Sequence, residues 1–276
     1  MIFAQTERAK KIAALVKAED FKNHGFTLVY QPKYSLMDNL PTGVEALSRW
    51  HHPELGHIDP MDFVQIAEQN NLMLSMTRHI LGIALSQSRE WLDMGLNIPV
   101  AINVSPQDLH SEGFIELLEE QLEAHRVPPR LIELEVTENA IIEDPEIFSY
   151  KLNQIRSMGI RIAIDDFGVG YANFANLRAY PFDTIKIDKA FILDMQYSEE
   201  DRVLVRGAID IAHNLGMNCV AEGVETDGAR AFLVELGCEQ AQGTWFCGPE
   251  SVDEITGIFM AAKTGDLKGT THPELS

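Results

Sequence analysis

Two carboxylates stand side by side at Asp165-Asp166, after the apolar run Ile160–Ile164 and before the glycine-bracketed turn Phe167-Gly168-Val169-Gly170. Adjacent aspartates repel and are costly to desolvate, so they require water or cations. A solvated Asp-Asp loop would meet that requirement by itself. The chemical reading gains force from company. Glu45, Asn103, Glu135, Lys186, Glu222 and Gln242 also stand in or at the ends of short apolar runs. Carboxylates and an amide oxygen are hard donors that suit Mg²⁺ or Mn²⁺, whereas zinc would call for His or Cys. So many carboxylates suit two ions, a device that activates water and stabilises the leaving oxygen in phosphoester displacement. Arg49 then serves as a counter-charge for substrate phosphate, and Lys186 for the attacking water or the acidic cluster. Glu222 is a candidate general base or a ligand of metal-linked water. A structural alternative for Lys186 is a buried lysine paired with Asp188 or Glu222.

Other reactive types give weaker patterns. His51-His52 lacks a third His or Cys at ligand spacing and reads as loop. No Ser or Cys nucleophile with a His-acid partner stands out. The ten methionines read as core filler.

Eight short apolar runs must do the positioning: Leu28–Gln31, Val44–Leu47, Val100–Val104, Ile132–Val136, Ile160–Asp165, Thr184–Asp188, Cys219–Glu222 and Gln240–Gln242. Amphipathic stretches of helical length lie between most of them. Asp59-Pro60, Ser105-Pro106 and Asp144-Pro145 each place a capping oxygen before a first-turn proline. Gly95, Gly159, Gly216 and Gly237 sit where helices end. Strands alternating with helices predict a parallel sheet, and eight units in this length predict a (β/α)₈ barrel. A doubly wound open sheet is the other candidate, but it would more often carry a Gly-rich fingerprint after its first strand.

Strand side chains alternate faces, so polarity marks the inward set. That set is Gln31; Glu45 with Arg49; Asn103; Glu133 with Glu135; Asp165; Lys186 with Asp188; Glu222; and Gln242. Every strand contributes, at the face where barrel enzymes do chemistry. Asp166 has the wrong parity. It is expected to reach the site from the rim, where the strand breaks into the Phe167–Gly170 turn.

The net charge of −20, from 22 basic and 42 acidic residues, argues against sequence-independent binding to DNA or RNA or to an anionic membrane. Three scattered cysteines favour a reducing compartment, and no secretory signal or membrane span is evident, so a cytoplasmic location is expected. Residues 1–24 are expected to form a lead-in helix, with Ile12, Leu15 and Val16 on one face, either packed on the domain or available to a regulatory partner. The barrel is expected over 25–263, and the polar stretch 264–276 is expected to be a disordered tail.

These residues resemble the EAL domain phosphodiesterases. Glu45-Ala46-Leu47 with Arg49-Trp50 corresponds to the name-giving motif. The likeness includes Gln31-Pro32, Asn103-Val104-Ser105, Glu135-Val136-Thr137-Glu138, Asp165-Asp166-Phe167-Gly168, Lys186-Ile187-Asp188, Ala221-Glu222-Gly223-Val224-Glu225 and Gln242-Gly243. The resemblance implies an α/β TIM-like barrel with its first strand antiparallel. It implies two-metal hydrolysis of cyclic di-GMP to linear pGpG with Mg²⁺ or Mn²⁺, lowering a bacterial messenger that controls biofilm formation and motility. By motif position, Glu45, Asn103, Glu135, Asp165 and Asp166 are metal ligands; Lys186 and Glu222 handle the water. Gln31, Arg49, Gln242 and Asp188 lie on the substrate side, Glu138 and Glu225 hold the loop, and that loop with its following helix forms a homodimer. Val169, Ala172-Asn173, Thr244 and Gly248 depart from the usual residues. A catalytically inactive cyclic di-GMP receptor and an enolase-like Mg²⁺ enzyme are the alternatives.

Overall fold

The apolar runs form strands in a computed structural model that describes residues 2–18, 24–138, 145–168 and 174–266. They are β1 (Phe26–Ser35), β2 (Pro41–His52), β3 (Gly56–Ile58), β4 (Val100–Val104), β5 (Ile132–Thr137), β6 (Arg161–Phe167), β7 (Thr184–Ile187), β8 (Asn218–Ala221) and β9 (Gln240–Ala241). The order β1-β9-β8-β7-β6-β5-β4-β2 closes through a β1–β2 pairing into an eight-stranded barrel. β3 lies outside the ring as a hairpin edge on β2, unforeseen from its short Gly-His-Ile sequence. It turns His51-His52, expected as loop, into strand.

β1 runs antiparallel to both β2 and β9, and the other ring neighbours are parallel. The cause is local. Only Leu36–Leu40 separate β1 from β2, with Asn39 in the left-handed region at φ 58°. A turn that short admits a hairpin and no crossover helix.

The outward parity is apolar as expected. Ile102, Leu134, Val136, Ile162, Ile164, Ile185 and Ile187 are all buried against the helix layer. Each such side chain is worth about 1.5–3 kcal/mol when buried, so a one-residue slip that drove Glu133, Glu135 or Lys186 into that layer is strongly disfavoured. Helix starts follow the capping chemistry. Asp59 accepts from Met61 N at 2.8 Å, and Ser105 and Asp108 form a reciprocal capping box. Asp144 lies outside the described residues. Gly95, Gly159, Gly216 and Gly237 all have positive φ, between 71° and 88°.

The N-terminal helix Ile2–Lys17 buries Ile12 and Val16, and Arg8 donates to His57 O on β3 at 2.8 Å. Ile12 and Val16 thus join the core, with Leu15 partly buried against it. At the other end the last helix runs through Thr264, one residue past the expected boundary, and Asp266 N donates back to Ala261 O. The remainder of the expected tail, 267–276, lies outside the described residues. Among the described residues no helix is long and apolar enough to cross a membrane.

Candidate active site

The parallel strands deliver their C-terminal ends to one mouth, and Lys186 of β7 rises into its centre almost fully buried. Its Nζ lies 2.6 Å from Glu135 Oε2, 2.7 Å from Glu222 Oε1, 3.0 Å from Asp165 Oδ1 and 3.6 Å from Glu45 Oε2. Four carboxylates from four other segments of the wall thus converge on one ammonium. Two amides tie the ring together. Asn103 Nδ2 donates to Glu45 Oε1 at 2.9 Å, and Gln242 Nε2 donates to Glu45 Oε2 at 2.8 Å and to Glu222 Oε1 at 3.3 Å. Gln31 sits opposite Glu45 across the β1–β2 ladder and donates to Cys247 O.

Gln242 stands just beyond β9, which ends one residue earlier than expected, and Gly243 explains how it is held. At φ 156° Gly243 lies so close to Val224 that a Cβ there would come within 2.2 Å of Val224 O. Only glycine permits this approach, and it lets Gln242 O accept from Val224 N.

The acidic pair is placed differently from the expectation. β6 does not break before Asp166; it continues to Phe167. Its register with β7 jumps from Ile164↔Ile185 to Phe167↔Ile187, so Asp165 and Asp166 together oppose Lys186. Asp166 takes a left-handed φ of 54°. This is a β-bulge, a device that re-aims a side chain, and it brings a residue of outward parity to the mouth. Asp166 N donates to Asp165 Oδ1 at 3.0 Å. Glu138 brackets the turn: its N–H donates to Asp165 O, and its Oε2 accepts from Gly168 N, each at 3.2 Å. The atypical Val169, Ala172 and Asn173 lie outside the described residues.

Asp188 does not join Lys186. Its Oδ1 caps the helix Lys189–Asp194 by accepting from Ala190 N at 2.8 Å, while its negative charge acts on Asp166 nearby. Arg49 stands at the side of the cluster, donating to Ser48 O. With Asn103, Leu47 and Phe63 it lines a depression of about 500 Å³. Glu225 and Thr244 are exposed, and the space beside Gly248 is open.

One element of the site went unread in the sequence. Lys33 of β1, buried, reaches Glu135 Oε1 at 2.7 Å and Glu133 Oε1 at 2.9 Å from beneath. Thr184 Oγ1 donates to Glu133 Oε2 at 3.2 Å. The signal available was its spacing of two from Gln31, which puts both on one face of the strand.

The charges set the electrostatics. Lys33 and Lys186 are both held above their ordinary values, burial notwithstanding, by the carboxylates they touch. Burial opposes ionisation of Glu45, but Lys186, Lys33 and the two amides hold it down to about 2. Burial, together with Glu45 and Asp165, pushes Glu135 up to about 8 despite both lysines. Burial likewise pushes Glu222 up to about 7, against Lys186. Burial, Asp165 and Asp188 raise Asp166 to about 6. Two lysines cannot neutralise Glu45, Glu133, Glu135, Asp165, Asp166, Asp188 and Glu222, so the excess is met by protons or by cations.

Among the described residues no three Asp, Glu, His or Cys side chains already converge as ligands of one ion. The acids close on Lys186 instead. The donor chemistry nonetheless fits a hard divalent cation. All the donors are oxygens, negative charge is in excess, and buried Gln242 Oε1 has no hydrogen-bond partner.

A family model described as the EAL domain matches residues 14–249, a span that includes every residue of this cluster. The chain belongs to the EAL domain family. This EAL domain is 37% identical over 231 residues to the Cyclic di-GMP phosphodiesterase PA2567 of Pseudomonas aeruginosa, covering 84% of this chain and 39% of that protein. It is 35% identical over 243 residues to the Signaling protein YkoW of Bacillus subtilis, covering 88% of this chain and 30% of that one. The chain thus spans 30–39% of the length of these curated relatives. Among solved structures, the PaMucR phosphodiesterase in complex with c-di-GMP superimposes with a TM-score of 0.83 at 32% identity, covering 89% of this chain and 99% of that one. The EAL domain of Mycobacterium smegmatis DcpA gives 0.73 at 29% identity, covering 86% and 97%. EAL domains are metal-dependent. The barrel with its reversed first strand is the EAL fold.

Proposed function

We propose that this EAL domain hydrolyses cyclic di-GMP to linear pGpG and so lowers a bacterial second messenger that governs biofilm formation and motility. The observation that carries the reading is Lys186, nearly fully buried, gathered by Glu45, Glu135, Asp165 and Glu222 at the barrel mouth. That expensive arrangement is out of proportion to any need of the fold. The names of PA2567 and PaMucR support the substrate class.

In this reading Glu45, Asn103, Glu135, Asp165 and Asp166 would hold Mg²⁺ or Mn²⁺, two ions by the number of carboxylates. The ions would supply an activated water and neutralise phosphate charge. The chain's own groups do the rest. Arg49 binds a phosphate oxygen from the flank, with Gln31 and Asp188 at the substrate side. Glu222 accepts the proton of the attacking water, and Gln242 orients Glu222 and Glu45 together. Lys186 keeps the carboxylates from repelling one another and stands beside the water. One P–O bond to water forms, the P–O3′ bond breaks, and the 3′-oxygen leaves with a proton.

Purified protein incubated with cyclic di-GMP and Mg²⁺ or Mn²⁺ should yield linear pGpG on chromatography, and EDTA should abolish it. Binding without turnover would replace this reading with a receptor. Absence of binding would overturn both and leave a different Mg²⁺-dependent barrel enzyme.

The reading extends to a cytoplasmic homodimer joined through the segment after Asp166. Exposed Val203 and Leu204, which with Phe167, Gly168 and Phe191 line a pocket of about 280 Å³, support an interface beside that segment. A monomer by light scattering, with and without substrate, would refute the dimer.

A further inference from the structure

We infer that Lys33 is a positioning residue that fixes which oxygen of Glu135 faces the metal and substrate side of the site; the inference rests on the functional reading above. Glu135 has a cation on each oxygen, Lys33 Nζ 2.7 Å from Oε1 and Lys186 Nζ 2.6 Å from Oε2. With both oxygens so held, the carboxylate has no free rotation about its last torsion. Only one of its partners stands at the mouth. Lys186 shares its ammonium with Glu222, Asp165 and Glu45, and so can yield Oε2 to an incoming cation while keeping other acidic partners. Lys33 has no such alternative at the mouth. Its second contact is Glu133 Oε1 at 2.9 Å, and Glu133 is itself pinned through Oε2 by Thr184 Oγ1. The space at this floor amounts to about 30 Å³, lined by Lys33, Glu133, Arg161 and Thr184 among others. That is room for about one water and no more. Lys33 therefore stays on Oε1 when Oε2 is engaged, and Glu135 offers a single oxygen upward. Strand direction makes this possible. β1 alone runs downward in the ring, so residues two apart, Gln31 and Lys33, place an amide near the mouth and an ammonium on the floor.

A lysine that merely neutralises the floor would predict something different, and the variants separate the two roles. Glu133→Gln leaves Lys33 on Glu135 and touches no group at the mouth. The double variant Lys33→Met/Glu133→Gln removes one charge of each sign, so it avoids a stranded carboxylate while freeing Glu135 Oε1. Lys33→Arg keeps the charge but moves the donor nitrogens. Mn²⁺ affinity is measured by titration, following free Mn²⁺ by electron paramagnetic resonance, without substrate. Glu133→Gln is expected to stay within about threefold of the parent, whereas the double variant and Lys33→Arg should each weaken binding about 10- to 100-fold, as loss of a group that orients a ligand does. Parent-like affinity in both Lys33 variants would overturn the inference and leave the functional reading intact. A parent protein that binds no Mn²⁺ would overturn both.

Discussion

Replacing Lys186 with methionine is expected to lower cyclic di-GMP turnover by about 10³-fold or more, the scale lost when a charged group at a reacting centre is removed. The same change should destabilise the metal-free protein by about 3–5 kcal/mol, because it strands buried carboxylates without their counter-ion. Glu45, Glu135, Asp165 and Glu222 would then face one another across the space that Nζ fills. Divalent cations should return part of that stability, since ligands that bind only the folded state stabilise it by mass action. The decisive measurement pairs steady-state kinetics with thermal unfolding in EDTA and in Mg²⁺. Near-normal turnover would refute the role assigned to Lys186. An unfolding temperature equal to the parent's in EDTA would refute the claim that Lys186 holds the acids together.

Glu45→Ala should match that loss in turnover and differ in stability. Glu45 accepts from Asn103 and Gln242 and lies 3.6 Å from Lys186, so it joins three neighbours at one corner of the cluster. Its removal takes away a proposed metal ligand, with a cost in turnover of about 10³-fold or more. Lys186 keeps Glu135, Asp165 and Glu222. No charge is stranded, and the fold is expected to change by about 1–2 kcal/mol, the cost of leaving two amides to find water. In kinetic assays near-parent turnover would sink the assignment of Glu45. A stability loss as large as that of Lys186→Met would show that the cluster's balance has been misjudged. Similar effects on rate with different effects on stability distinguish an anion that serves the ions from the cation that replaces them.

Much of this arrangement was legible in the residues. Alternating polarity in Ile132–Val136 and Thr184–Asp188 identified the inward faces because the opposite parity had to enter an apolar layer. The four glycines at helix ends and the caps at Asp59 and Ser105 marked element boundaries through backbone chemistry that acts locally. What escaped depended on partners distant in sequence. Asp166 enters the mouth through a bulge set by the register of β6 against β7, and nothing in Ile160–Gly170 alone states that register. Lys33 lies beyond the apolar run Leu28–Gln31, and because β1 runs opposite to the parallel strands its later residues reach the floor rather than the mouth. Asp188 shares the parity of Lys186, but its carboxylate is committed to the start of the next helix. β3 is too short to show a period.

The reversal of β1 also bears on the order in which this molecule is built. β1 is the first strand of the ring to leave the ribosome, and it must pair with β9, the last, through Tyr34↔Ala241. Until residue 241 emerges, β1 is paired with β2 on one side and presents an open edge on the other. Contacts of such long range form late, since the chain between them must be gathered first. Gln242, which bridges Glu45 and Glu222, is the next residue after that strand. A nascent chain therefore carries nearly its whole acidic cluster before it can close the ring around it, and ring closure and site completion become a single late event in synthesis.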